Sequence, residues 1–192
     1  MRKVTLGLAT SVDNYIARED GSVDWLQWNK DVAAISAKFL KTVDALLIGR
    51  QTYEAMLATK QTSYPGAKNY VFTRTKKKAA RLAAQLPKQT TAQVEFVTSD
   101  AARFVRTLKN EKGKGIAVFG GGKLAKSLFA VGLIDEIVLN IHPIILGSGV
   151  PLFHRMDRQI DLQLLDSSRL KSGGVLMSYR VKHLRSENPR RF

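Results

Sequence analysis

The residues best suited by type and spacing to do chemistry are Gly120-Gly121-Gly122-Lys123-Leu124-Ala125, a glycine run ahead of a stretch of helical period. Consecutive glycines let the backbone approach a ligand closely. A helix start behind them offers unpaired N–H groups and the positive end of a dipole. Pyrophosphate is the natural guest of such a turn. The run satisfies G-x-G-x-x-A literally, but it lacks the acidic residue that grips a ribose after the following strand, and no Ser or Thr follows Lys123 as a P-loop requires. The plain alternative is a strand-to-helix turn that needs positive φ.

Gly49-Arg50-Gln51-Thr52 forms a second junction of this kind, with a cation and a hydroxyl at a helix start. Arg can fork onto a phosphate while Thr52 completes its shell; otherwise Thr52 simply caps a helix. Thr73-Arg74 is a third junction, beside Lys76, Lys77 and Lys78, a run that also reads as a solvated face. Junctions at the ends of strands in one sheet share one rim, where open α/β sheets hold ligands. Cations on that rim favour the 2′-phosphate of NADP over NAD. No hydrolytic constellation accompanies them: His142, His154 and His183 are not at metal-ligand spacing, no metal site is expected, and H-E-x-x-H and G-x-S-x-G are absent. A bound nicotinamide is then the simplest source of chemistry.

The elements that must position these residues follow from periodicity. Strands are expected at Val4–Ala9, Asp44–Gly49, Tyr70–Thr73, Val94–Thr98, Gly115–Phe119, Ile137–Ile141, Ile160–Leu165 and Val175–Val181. Helical spacing joins Val32, Ile35, Phe39 and Leu40, with Asn29 or Asp31 as the cap. It recurs in Thr52–Ala58, in Ala101–Asn110 after Ser99 or Asp100, and in Lys123–Val131. Gly173-Gly174 suggests a hairpin turn. Parallel βαβ units with an antiparallel end make a mixed sheet.

The chain has 192 residues, which fits one domain, with a basic tail expected at 185–192 after a domain of 1–184. Hydrophobic residues form 44% and charged residues 24%, a globular balance, and no apolar run approaches the roughly 18 residues of a spanning helix. A cytoplasmic protein without a membrane partner is expected. With no cysteine, stability must come from packing. Thirty-one basic and 16 acidic side chains give +15, which attracts anions. The basic residues spread through Arg74–Arg81, Arg103–Lys126 and Lys182–Arg191 without interleaved aromatics, which argues against nucleic acid as a partner.

Together these segments resemble the dihydrofolate-reductase-like superfamily, most closely the reductase domain of riboflavin biosynthesis and its stand-alone relatives. Thr10-Ser-Val-Asp-Asn-Tyr-Ile-Ala17 is similar to its S-L-D-G-x-I-A segment, and Gly49-Arg-Gln-Thr-Tyr-Glu54 to its G-R-x-T-x-E junction. Ala117–Gly122 is similar to its glycine turn, and Leu133–Val138, His142–Gly149 and Pro151–Phe153 to its carboxy-terminal half. The resemblance implies a single α/β domain with a central, mostly parallel mixed sheet flanked by helices and an antiparallel C-terminal hairpin. It implies an NADPH site at Gly49, Arg50, Thr52, Thr73, Arg74, Gly120, Gly121, Gly122, Lys123 and Leu124, a loop from Asp13 to Trp28 closing over the nicotinamide, and a homodimer.

The same resemblance implies a small-molecule substrate like 5-amino-6-(5-phosphoribosylamino)uracil. A pteridine reductase of the dihydrofolate type is the alternative, and a non-catalytic nucleotide- or nucleic-acid-binding protein is the alternative from another class. Asn14 stands where the family usually has Gly. Phe119 and Met56 stand where riboflavin reductases carry acidic residues, so two polar substrate contacts are missing. Reduction of C=N or C=O needs a proton as well as a hydride. By its place ahead of Gly49, Asp31 lies closest to the substrate carboxylate of dihydrofolate reductases, with Asp13 and Asp24 in the covering loop as competitors.

Overall fold

The computed structural model describes residues 1–120 and 122–182, so Gly121, His183 and the tail at 185–192 lie outside the described residues. Along the chain run β1 Val4–Thr10, β2 Tyr15–Ala17, α1 Lys30–Leu40, β3 Val43–Gly49, α2 Arg50–Ala58, β4 Lys68–Phe72, α3 Lys76–Ala83, a 3₁₀ turn Lys88–Gln93 and β5 Val94–Val97. They continue with α4 Ala101–Asn110, β6 Gly115–Phe119, α5 Gly122–Ala130, β7 Glu136–Ile141, β8 Val150–Pro151, β9 Leu162–Arg169 and β10 Val175–Val181.

The main sheet has the order β5-β4-β3-β6-β1-β7-β10-β9. Strands from β5 across to β7 are parallel, and β10 and β9 add antiparallel. Alternation along β3 shows why helices are needed on both faces. Ala45 and Leu47 join the cluster with Val105 and Leu108 of α4 and Leu124 and Leu128 of α5. Leu46 and Ile48 join Tyr53 and Met56 of α2, Leu82 of α3 and the flanking Phe39 of α1. Each such Leu or Ile, taken wholly from water, contributes about 1.5–3 kcal/mol.

This partition fixes where a ligand can enter. Connections leaving β1, β3 and β4 cross one face, and those leaving β5 and β6 cross the other, as right-handed crossovers demand. Strand β6 therefore sits between two neighbours whose helices leave on the opposite side. In open α/β sheets such a switch point is where ligands bind, outside the carboxyl ends of the strands.

Local chemistry sets the helix starts. Asn29, not Asp31, caps α1, its side chain accepting from the Val32 N–H at 3.0 Å, and Asp100 caps α4 through the Arg103 N–H at 2.8 Å. Thr52 is not a cap: Gly49 takes that place on α2 without a side-chain bond, because α2 begins at Arg50 and carries Thr52 inside its first turn. Helix α3, capped by Thr75, forms where a solvated lysine run was expected, because Leu82 anchors it while Lys76, Lys77, Lys78 and Arg81 stay exposed. Strand β9 starts two residues later than expected, since Ile160 tucks against the core, and it runs on to Arg169 with every residue exposed along an open edge. The Gly173-Gly174 hairpin forms, with Gly173 N–H donating to Leu170 O.

At the amino end of the sheet, Arg2 pairs with Asp44, whose other oxygen accepts from the Lys114 N–H at 2.8 Å, and Lys109 pairs with Asp135. No helix among the described residues is long and apolar enough to cross a membrane.

Candidate cofactor and substrate site

The carboxyl ends of the parallel strands place, in order along one rim, Thr73 after β4, Gly49 on β3, Gly120 after β6, Thr10 on β1 and His142 after β7. Four gaps of ~4.8 Å between neighbouring strands make the rim roughly 19 Å long. The three junctions singled out in the sequence lie side by side on it.

Gly120 adopts φ +67°, and a Cβ there would overlap Oγ1 of Thr52. The second and third strand ends thus interlock: the first turn of α2 lies on the glycine turn. Gly122, the first residue of α5, is equally bare by necessity, since a Cβ would come within 2.8 Å of the His154 ring and 2.9 Å of Leu152 O. Both glycines are demanded by the protein's own packing. Behind them Lys123 is exposed, whereas the Leu124 side chain is buried in the core and offers the rim only its N–H. The first N–H groups of α5 lack partners within the helix, as at any helix start.

Arg50 opens α2 and is held by an ion pair with Glu54 one turn on. Thr73 is 7% exposed, and its Oγ1 has no hydrogen-bond partner, although its N–H donates to Val97 O at 3.0 Å. A buried hydroxyl left this way costs about 1–3 kcal/mol unless a ligand pairs with it. Arg74 beside it is exposed and has no acidic partner among the described residues.

On the face that carries α1 and α2, an aromatic group backs the rim. Phe119 meets Tyr64 edge-on with centroids 5.1 Å apart and leans on Phe39 at 6.1 Å. Gly7 on β1 lies beneath: a Cβ there would stand 3.2 Å from Phe39 and 3.3 Å from Phe119. Asp31, half-buried in the first turn of α1, lies at the rim end of that helix. Asn14 takes the left-handed conformation, φ 68°, that glycine would otherwise supply.

The two competitors of Asp31 are engaged elsewhere. Asp13 accepts from the Leu146 N–H at 3.1 Å and the Gly147 N–H at 2.7 Å. Its bond from Ser11, helped by these backbone donors, holds its carboxyl below the usual value. Asp24 takes the Arg18 guanidinium at 2.7 Å, and that bond lowers its carboxyl too. Each favours the carboxylate over the acid.

The RibD C-terminal domain family matches residues 2–176 of this chain. The chain belongs to the RibD C-terminal domain family. The uncharacterized protein YwjB of Bacillus subtilis (strain 168) is 34% identical over 165 residues, covering 85% of this chain and 89% of that protein. The crystal structure of a putative riboflavin biosynthesis protein from Shewanella sp. PV-4 superposes with a TM-score of 0.78 at 24% identity, over 95% of this chain and 100% of that one. Dihydrofolate reductase from Enterococcus faecalis, complexed with NADP(H), gives 0.65 at 15% identity, over 94% and 97%. The structures carry the fold, which is dihydrofolate-reductase-like.

Within this RibD C-terminal fold, Met56 is buried in the core under α2 and Phe119 belongs to the aromatic group. Neither position of missing acidity presents a polar group. Sequence reasoning missed the Thr52–Gly120 interlock, the His154 ring over Gly122 and the bracing role of Asp13. The joint presence of the S-x-D segment and the Leu146-Gly147 loop was the available signal for that brace, since an aspartate near a turn commonly takes backbone N–H groups.

Proposed function

We propose that this RibD C-terminal domain protein is an NADPH-dependent reductase of a small, flat substrate. The observation that carries the reading is the buried Thr73 hydroxyl on the rim, without a hydrogen-bond partner among the described residues, beside the exposed Arg74. A ligand phosphate would satisfy the first and neutralise the second. Arg74 would hold the 2′-phosphate, with Arg50 a second cation once released from Glu54. Thr52, Thr73, Gly49 and the backbone from Gly120 to Leu124 would hold the pyrophosphate. NADPH, when bound, supplies a hydride to carbon. Asp31 supplies the accompanying proton to the nitrogen or oxygen of the reduced bond. Phe119, Phe39 and Tyr64 exclude water and offer apolar faces to a ring.

The family supports an aminouracil of the riboflavin pathway as substrate. The aromatic group around Phe119 favours a second reading, a pteridine or similar heterocycle without a ribosyl phosphate, because Met56 and Phe119 offer no acid to a polar chain. The edge strand β9, with Leu162, Leu164 and Leu165 exposed among the described residues, supports a homodimer built on that strand, and the cytoplasm is the compartment proposed for it.

The test is loss of NADPH absorbance across pteridines, pyrimidine intermediates and quinones, alongside fluorescence titration of NADPH. Gly121→Val should abolish NADPH binding in a folded protein. If no nicotinamide binds, and polyanions bind with a steep salt slope instead, the protein is a nucleic-acid binder.

A further inference from the structure

The segment between β2 and α1 is bonded almost wholly to itself. Arg18 N–H donates to Ser22 O and Gly21 N–H to Arg18 O, both at 2.9 Å. Ser22 N–H donates to Asp20 Oδ1 at 2.8 Å, Leu26 N–H to Val23 O at 3.1 Å, and Arg18 pairs with Asp24. Among the described residues, one hydrogen bond ties positions 18–28 to the rest of the domain outside α1: the Gln27 N–H donates to Nδ1 of His142 at 3.4 Å. Beside it Trp25, 6% exposed, forms a T-shaped pair with the same imidazole, centroids 5.5 Å apart and planes at 89°.

His142 cannot drift to follow the loop. It is 2% exposed, its N–H donates to Thr10 O at 2.8 Å, and its carbonyl accepts from the Ile144 N–H at 2.8 Å, so β1 and the 142–144 turn fix the ring. Because Nδ1 accepts a backbone N–H, the neutral ring carries its proton on Nε2. Nε2 lies 3.2 Å from the Asn140 amide. With that amide turned so that its oxygen faces Nε2, the otherwise unpartnered Asn140 Oδ1 gains a donor. A proton added at Nδ1 would point at the Gln27 N–H, donor against donor, and would bury a cation.

We propose that His142 is the latch of the 18–29 loop: its neutral ring holds the loop against the β7 end of the rim, and protonation at Nδ1 lets it go. Among the described residues no free acid faces the ring to offset the cation. Asp13 is taken by Leu146 and Gly147, Asp20 by Ser22 and Asp24 by Arg18, while Thr10, Asn140 and Val175 of the neighbouring strands are neutral. Burial alone acts on the ring, lowering its pKa below the ordinary histidine value. The latch is thus closed at neutral pH and opens as pH falls below about 6.5, the value of a freed histidine. That opening controls access to the rim rests on the proposed cofactor reading, whereas the latch itself does not.

Trp28 is 67% exposed, so Trp28→Phe leaves Trp25 as the one indole, reporting the latch without any cofactor. Its emission should be blue at pH 8 and shift red in a one-proton transition centred below about 6.5. Tryptic cleavage after Arg18 and Lys30 should rise by up to about tenfold per pH unit through the same range. His142→Asn, whose Oδ1 can accept from Gln27 without titrating, should abolish the transition and keep the blue emission. His142→Phe should give red emission and fast cleavage at every pH. An acid transition that persists in His142→Asn, or emission constant with pH in the parent, overturns the proposal.

Nitrogen shifts of the His142 ring in the unsubstituted protein need no variant to fold. A neutral ring protonated on Nδ1 at pH 8 overturns the latch. If the ring titrates and the loop opens as described while NADPH affinity is equal in His142→Asn and His142→Phe, the latch stands and the reading of the rim as a cofactor site fails.

Discussion

The two halves of the rim are built on opposite principles. Across β4, β3 and β6 the chain is locked by contact: Thr52 rests on Gly120, His154 on Gly122, and Leu124 is sunk in the core. Across β1 and β7 a self-bonded loop hangs on one imidazole and one indole. A densely packed region responds to changes in volume, because interiors have no room to give. A region hung on a single polar contact responds to changes in protonation. On the proposed reading the first is a rigid phosphate seat and the second its cover.

The comparison can be broken most sharply at Gly120. Gly120→Ala adds positive-φ strain and overpacking against Thr52, each worth about 1–3 kcal/mol, so equilibrium denaturation should show a loss of about 2–6 kcal/mol. Adding Thr52→Ala should recover the packing part and leave the strain. Stability equal to the parent would mean that the seat is not rigid. Next in size is Asp31→Asn. Because Asn29 caps α1, the melting temperature should hold while turnover on an identified substrate falls on the order of a hundredfold. Unchanged turnover would leave proton delivery to solvent.

Arg74→Ala should be smaller still, removing a preference for NADPH over NADH of about tenfold, or about 1.4 kcal/mol, read by fluorescence titration. Equal affinities for the two cofactors in the parent would already argue against the phosphate seat. The smallest effect is expected at Asp13. Its folded pKa is depressed, so the stabilisation is present above the unfolded value of about 3.9 and is lost as pH falls through the folded one. Asp13→Asn should lower the melting temperature at pH 6 and flatten its fall below about pH 4. The loop carrying Asp13 would then prove braced at its root and free at its tip.

Local signals made much of this legible. Val4–Thr10, Gly115–Phe119 and Ala101–Asn110 are elements whose apolar period and caps lie within their own residues, and they were readable within a residue or so. The rim was legible too, because each junction ends a parallel strand. What stayed hidden depends on distant partners. Thr52 looked like a cap because its true neighbour, Gly120, comes from another βα unit. Asp13 looked like an acid because the N–H groups that hold it are 133 and 134 positions away. Helix α3 was hidden by Lys76, Lys77 and Lys78, which leave Leu82 as its one deeply buried residue. The exposed β9 was misplaced because, with neither face covered, it has little alternation to read.

Gly7 carries a consequence for selectivity. Strand β1 contributes only bare backbone beneath Phe39 and Phe119, and those rings belong to different elements, α1 and β6. A methyl group at 7 would act as a wedge driven between two jaws, one on a helix and one on a strand. The rings would have to give by a few tenths of an ångström. On the proposed reading the gauge of the substrate cleft is set by an atom the chain leaves out, and an alanine there should shift selection towards thinner guests without touching a polar contact.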